Sequence, residues 1–286
     1  MSRVRHHMYK ISASVYILTR NSAHTLPRAL ESVNDFDDVV VCDGASTDTT
    51  IAIAEQYGAR VFPQDALCLE SGRIKDFACV RTGCLNHTTY DWVLFIDSDE
   101  EAPHGLVQEI RVIMETPEEQ RADVYEVPIR YSRADGREVL YSSNYPGYQR
   151  RFFTKKFGAY FYKSPHSRIR FREKPDAEVR VAHLKTAWMN FLPPRRIWGD
   201  YWDSNSRFMK LQLDDIRRWP RRKLLGASMN TFRSVTGISL RALRNYLLRG
   251  FRDTMPIPME AARVAYHIVL GWKVLGMAIL PSKLHS

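Results

Sequence analysis

Four carboxylates crowd into Asp97-Ser98-Asp99-Glu100-Glu101, directly behind the apolar run Trp92-Val93-Leu94-Phe95-Ile96. The run is too short for a typical helix and rich in Val, Ile and aromatics, which is the signature of a buried strand. Side chains alternate along a strand, so Asp97 and Asp99 are expected on one face and Ser98 on the other. Two carboxylates facing the same way past the end of a buried strand can hold a hard divalent cation and the phosphate it carries. A solvated acidic turn is the alternative for this segment alone.

Two other polar clusters follow apolar runs in the same way. Ile11 to Leu18 reads as a first strand ending in Thr19-Arg20-Asn21, and Asp38 to Cys42 as a second ending in Asp43-Gly44-Ala45-Ser46-Thr47-Asp48. Between them lies an amphipathic helix over Leu26 to Val33. Ser46 or Thr47 is suited to cap a helix over Thr49 to Tyr57, with Gly58 ending it. Arg60 to Phe62 is a third strand, Ser71 to Leu85 a helix and Trp92 to Ile96 a fourth strand. Alternation of this kind implies a parallel sheet with right-handed crossovers, and ligands of such sheets sit beyond the carboxyl ends of the strands. The three polar clusters are therefore expected at one rim.

After a helix over Pro103 to Glu115 the texture changes. Asp123 to Tyr131 and Arg137 to Tyr141 flank Ala134-Asp135-Gly136 as a hairpin, so Asp135 reads as a turn residue. Tyr148 to Phe153, Arg168 to Phe171 and Glu178 to Ala182 are further short strands. From Phe191 onward the pattern is helical and basic. Arg195 to Arg252 holds fourteen Lys/Arg against four Asp/Glu, a surplus of ten that equals the net charge of +10 for all 286 residues. A block of this kind reports on an anionic partner, either a membrane surface or nucleic acid, unless it is a solvated face. No nucleic-acid motif accompanies it, which makes nucleic acid the weaker candidate. Val264 to Leu280 is apolar but broken by His267 and Lys273, which suits an interfacial helix better than a membrane span.

Hydrophobic content of 44% places the chain among globular proteins. Cys42, Cys68, Cys79 and Cys84 form no CxxC pair, so reduced thiols in a cytosolic protein are expected. The basic start and Ile11 to Leu18 lack a small-residue cleavage site, which favours a strand over a signal peptide.

The chain resembles the family 2 glycosyltransferases, inverting enzymes with the GT-A fold. The resemblance rests on Ile17 to Asn21, Val41 to Thr49 and the DxD element Asp97-Ser98-Asp99. It extends to the subgroup that adds a β-linked sugar to the lipopolysaccharide core, through Lys75 to Ala78, Tyr145 to Phe153, the His166 region and Tyr246 to Asp253. Two positions depart from that subgroup: it usually has Asn where Asp76 stands, and an acidic residue where Ser167 follows His166.

The resemblance implies an α/β GT-A fold, Rossmann-like, with a mostly parallel central sheet flanked by helices and a C-terminal helical region that associates with membrane. Residues 1–122 would form the nucleotide-sugar half, 123–190 the acceptor-side strands of the same domain, and 191–286 the basic helical region with its apolar tail. A nucleotide-diphosphate sugar, with UDP as the expected carrier, would be held by Thr19, Arg20, Asn21, Asp43, Asp48, Lys75, Asp97 and Ser98. Mg2+ or Mn2+ would sit on Asp99 with Asp97, completed by His166 or His183. Inversion needs a carboxylate base, for which Glu101 is preferred to Glu100. Arg150 or Arg151 could meet a phosphate. The acceptor would be a lipid-linked or lipopolysaccharide-core saccharide at the cytoplasmic face of the inner membrane.

Each residue also has a plainer role. Asp43 and Asp48 could serve turns and caps, Lys75 could be an exposed helix lysine, and Glu100 and Glu101 could lead into the following helix. Two other functions compete: a basic membrane- or nucleic-acid-binding protein without catalysis, and a haloacid-dehalogenase-like phosphatase. The latter expects Thr or Val at Glu101 and leaves Asp43 to Asp48 without a role.

Overall fold

The computed structural model describes residues 9–133, 137–162, 168–192 and 197–280. The turn containing Asp135, and His166 with Ser167, lie outside these residues, as do the first eight positions and Arg195. The chain divides into two compact units. The first comprises residues 1–129, 148–162 and 167–190, and the second residues 130–147, 163–166 and 191–286.

The strands in chain order are β1 Ile11–Thr19, β2 Phe36–Asp43, β3 Arg60–Pro63, β4 Leu69–Glu70, β5 Arg73–Ile74, β6 Trp92–Asp97 and β7 Glu100–Glu101. They continue with β8 Val124–Ser132, β9 Glu138–Val139, β10 Tyr148–Thr154, β11 Ala159–Tyr162, β12 Arg168–Phe171, β13 Val181–His183 and β14 Trp188–Phe191. The helices are α1 Leu26–Ser32, α2 Thr50–Gln56, α3 Phe77–Leu85, α4 His104–Glu115, α5 Ile197–Ile216, α6 Arg221–Arg249 and α7 Ile257–Ile279.

The main sheet runs β3-β2-β1-β6-β10-β8-β14-β7. Pairing is parallel from β3 through β2 and β1 to β6, and turns antiparallel at β10. Residues 13 to 19 of β1 are all buried, as expected for a central parallel strand covered on both faces. Tyr16, Leu18, Val40, Cys42, Val93 and Phe95 form part of its core, closed on one side by α3 residues such as Val80 and Cys84.

Helix α3 starts later than the sequence suggests. Ser71 and Gly72 both adopt positive φ, 50° and 69°, and close a tight hairpin between β4 and β5. Asp76 then caps α3, accepting from the amides of Ala78 (2.8 Å) and Cys79 (3.2 Å). The expectation of four reduced cysteines is corrected as well: Cys68 and Cys79 form a disulfide that ties the foot of this hairpin to α3, while Cys42 and Cys84 are free and buried. Their spacing hides the pairing because Cys68 precedes the hairpin and Cys79 lies in the helix that follows it.

In the second unit, α5, α6 and α7 share a core of Met209, Ile216, Leu224, Tyr266, Leu270, Val274 and Ala278. The apolar tail is longer than the sequence suggests. Pro256 caps a helix of 23 residues, which by length and composition alone could cross a membrane. Its first turns carry a buried ion pair, Glu260 with Arg263, and both side chains also bond Ser143.

Candidate active site

Register brings the three polar clusters together. Leu18 lies opposite Asp97 on one side of β1, and Thr19 lies opposite Asp43 on the other. The loops that leave β1, β2 and β6 therefore start level, on three neighbouring strands and at one rim.

Hydrogen bonds stitch these loops to one another. Asn21, at φ 50°, donates its amide to the Ser46 hydroxyl at 2.8 Å, and its side-chain oxygen accepts the Thr47 amide at 2.8 Å. The Ser22 amide donates to the Thr50 hydroxyl at 2.8 Å, and the Ala23 amide to Asp48 at 3.2 Å. The hydroxyls of Ser22 and Ser98 lie 2.8 Å apart and join the first loop to the third. Asp43 is buried and accepts from the Thr19 hydroxyl (3.0 Å) and from both the amide (2.8 Å) and hydroxyl (2.5 Å) of Ser46. Asp48 accepts from the Thr50 hydroxyl and amide as well as from Ala23, and these bonds hold its carboxyl below the usual range. The cap of α2 is Thr49, with no side-chain bond, and it is Asp48 rather than Ser46 or Thr47 that bonds the first turn.

The backbone is closely approached at Gly44. A Cβ there would meet the Gln64 side chain at 3.1 Å and the Thr19 carbonyl at 3.2 Å. Gln64, just past β3, donates to the carbonyls of Thr19 and Cys42, each at 3.1 Å. Arg20 is exposed, and its guanidinium lies 3.9 Å from where a Gly72 Cβ would stand, so the hairpin tip sits beside it. Lys75, directly after β5, is exposed.

The acidic loop differs from its expected form. β6 ends at Asp97 and the chain turns over Ser98 and Asp99, so strand alternation does not carry through the DxD element. Asp97 is held by Arg81, whose Nη2 donates to both carboxylate oxygens, at 2.9 and 3.2 Å. Burial acts to raise the Asp97 carboxyl, but the Arg81 charge, with Arg151 behind it, keeps it lowered. The Asp99 residue is exposed at the rim, yet partial enclosure and the charges of Glu100 and Asp97 push its carboxyl up to about 6.

Glu100 is buried and fully engaged. Arg151 donates to its two oxygens at 2.7 and 2.9 Å, the Trp188 indole at 3.1 Å and the Asp97 amide at 2.9 Å. A base needs a free lone pair beside its substrate, so Glu100 is replaced in that role; it anchors the loop. Arg151 is likewise committed, and Arg150 pairs with Glu126 at 3.2 Å. Partial burial raises the Glu101 carboxyl, with the Arg28 charge of α1 opposing and that of Glu31 adding to the rise.

His183 stands 3.6 Å from Glu126 with its ring against Tyr148, in a surrounding of its own on β13. Among the described residues no group of three or more His, Cys, Asp or Glu side chains could by itself hold a metal ion. The donor set still fits a cation that takes most of its ligands from a diphosphate and water, as Mg2+ commonly does. Among the described residues Asp99 offers a carboxylate with no bonded partner on another residue, near the charges of Asp97 and Glu100, which Arg151 partly offsets.

The sequence profile of Glycosyl transferase family 2 matches residues 14–177, more than half of the chain. The chain belongs to glycosyl transferase family 2. Similar proteins include an uncharacterized glycosyltransferase of Rickettsia felis, 39% identical over 123 residues, covering 43% of this chain and 40% of that protein. A second, from Rickettsia bellii, is 31% identical over 185 residues, covering 62% of this chain and 58% of that one. The matched segments thus span about half the length of those relatives. A solved structure of S. aureus TarS 1–349 with UDP-GlcNAc covers 92% of this chain and 91% of its own, at 16% identity and a TM-score of 0.44. That score is too low to carry an inference about this member of family 2. With the family shown, the haloacid-dehalogenase alternative falls.

In this family 2 protein, Gln64, Arg81, Arg151 and Trp188 position the acidic and first loops, yet none was singled out in the sequence as doing so. Arg81 had one usable signal, a charge within the apolar helix segment Ala78 to Leu85.

Proposed function

We propose that this protein is a metal-dependent inverting glycosyltransferase, moving a sugar from a nucleotide-diphosphate donor, with UDP the favoured carrier, to a saccharide acceptor. The observation that carries the reading is the register match of Leu18 with Asp97 and Thr19 with Asp43, which sets three stitched loops at one rim. Family membership supports it.

The first and second loops would seat the nucleoside. Thr19 bonded to Asp43, Asn21 to Ser46 and Thr47, and Asp48 to Ala23 and Thr50 shape the seat, and Asp43 keeps carboxylate lone pairs beyond the three bonds it accepts. Arg20 and Lys75, both exposed beside the β4–β5 hairpin, would meet the diphosphate as cations. Asp99 would hold Mg2+ or Mn2+, with Asp97 and Ser98 fixing the loop that presents it. Such an ion, when bound, neutralises charge developing on the leaving diphosphate. Glu101, with its raised carboxyl, is the proposed base: it takes the acceptor hydroxyl proton as that oxygen bonds to the anomeric carbon and the bond to the diphosphate breaks.

The acceptor is proposed to be a lipid-linked or lipopolysaccharide-core saccharide, met at the cytoplasmic face of the inner membrane. The resemblance through Lys75 to Ala78 and Tyr145 to Phe153 supports this, as does the basic C-terminal region.

A thermal-shift screen of nucleoside diphosphates and their sugars, with and without Mn2+, tests the donor class. Stabilisation only when metal and one diphosphate are both present is expected. No shift with any of them would turn the reading toward a non-catalytic membrane- or nucleic-acid-binding protein.

A further inference from the structure

The outer faces of α6 and α7 carry chemistry that sugar transfer does not use. On α7, Ile257, Ala261, Ile268, Trp272 and Ile279 share one helical stripe, and all are exposed, Trp272 by 62%. On α6, Leu225, Met229, Leu240, Leu243 and Leu247 form a second exposed stripe, Leu247 by 76%. The opposite faces of both helices are filled by the shared core, so these stripes are surplus to packing.

The two stripes are neighbours. The Phe232 ring stands edge-on to Trp272, centroids 5.6 Å apart, and a Cβ on Gly271 would strike Phe232 at 2.9 Å. The Ser228 hydroxyl donates to the Gly271 carbonyl at 3.0 Å. Close backbone approach at Gly271 thus joins the stripes into one apolar strip on one side of the helix pair.

Charge borders that strip. Arg222, Arg233 and Arg244 are exposed and recur every three helical turns, so they line one edge of the α6 stripe. Apolar side chains flanked by arginines match the boundary between acyl chains and anionic headgroups.

We infer that this face lies in the plane of an anionic lipid surface, with the strip in the acyl boundary and the three arginines at the phosphates. Crossing is disfavoured by the same residues. α6 carries exposed arginines along its whole length, and α7 has exposed Lys273 six residues before its end and the buried Glu260–Arg263 pair in its first turns. The inference deepens the proposed membrane placement of the acceptor but is independent of the transfer chemistry.

The test is co-sedimentation of the full chain with phosphatidylcholine vesicles, with and without phosphatidylglycerol. Binding is expected with phosphatidylglycerol, weakened by salt and released by alkaline carbonate. Leu243→Glu/Leu247→Glu/Trp272→Glu should lower the partition coefficient at least about tenfold. Arg233→Glu/Arg244→Glu should lower it by about fivefold or more per charge. Both variants should keep the wild-type melting temperature and any thermal shift given by a nucleoside diphosphate with Mn2+. Asp99→Ala should bind vesicles normally, which separates this face from the donor site. Unchanged binding in the folded stripe variant, or resistance to carbonate, would overturn the inference. So would duplex DNA binding without vesicle binding, or a lipid-free dimer that Trp272→Glu dissociates.

Discussion

Arg81 grips Asp97 through a single nitrogen, which reaches both carboxylate oxygens at 2.9 and 3.2 Å. The guanidinium is buried and also lies 4.6 Å from the Phe95 ring centroid, two residues back on the same strand. Removing it strands a half-buried carboxylate. Arg81→Met is expected to cost about 3–5 kcal/mol, and pairing it with Asp97→Asn should recover a large part. Urea unfolding of the two single variants and the double variant measures the coupling; additive losses would show that the pair is not a unit.

Asp99 invites a different trade. Its carboxyl titrates near 6, above its ordinary range near 4, so the folded state holds its proton more tightly than the unfolded chain does. The sign follows: native stability falls as pH rises from about 4 to about 6, and the cost persists at neutral pH. Asp99→Asn should therefore stabilise the unliganded protein by about 1 kcal/mol at pH 7, after screening at an exposed residue. The same change should abolish the metal-dependent response to nucleoside diphosphates. Calorimetry at pH 7 and pH 4.5 checks the first claim, since the gain should shrink markedly at the lower pH.

Glu100 and Glu101 are neighbours with opposite expectations. Glu100 takes two bonds from Arg151 and one from Trp188, so Glu100→Gln should cost about 3 kcal/mol or more of stability. Glu101 shows no such bonds among the described residues, and Glu101→Gln should fold normally while lowering turnover about a hundredfold or more. Normal turnover with any competent acceptor in a folded Glu101→Gln would remove it as the base.

The rim was legible because apolar runs ending in acidic or polar clusters are local patterns. Thr19, Asp43 and Asp97 each end the strand that sequence assigns them to or immediately follow it. What was not legible depends on partners distant in sequence. Arg81 reaches Asp97, at the end of a strand, from helix α3, and Arg151 reaches Glu100 from a strand fifty-one residues away. The turn over Ser98 and Asp99 also escapes a period-two reading, because Glu100 folds back onto the Asp97 amide. The Cys68–Cys79 disulfide needed the β4–β5 hairpin, whose left-handed Ser71 carries no strong local signal.

Asp38 gives a last test, at the rim opposite the proposed donor site. It is buried where β1, β2 and β3 begin, opposite Ser14 in register. Burial alone would raise its carboxyl, but the Ser14 hydroxyl (2.6 Å), the Thr89 amide (2.8 Å) and Arg60 (2.7 Å) hold it lowered. A depressed carboxyl contributes stability that is complete above its unfolded value, about 3.9, and lost as pH falls through the folded one. Asp38→Asn should remove about 1–3 kcal/mol at pH 7, and the gap from wild type should close on acidification below about pH 4. Because Asp38 sits at the start of the strands and Asp43 at their end, diphosphate affinity should be unchanged in the folded variant. An affinity loss comparable to that of Asp99→Asn would mean that the two rims are coupled through β2.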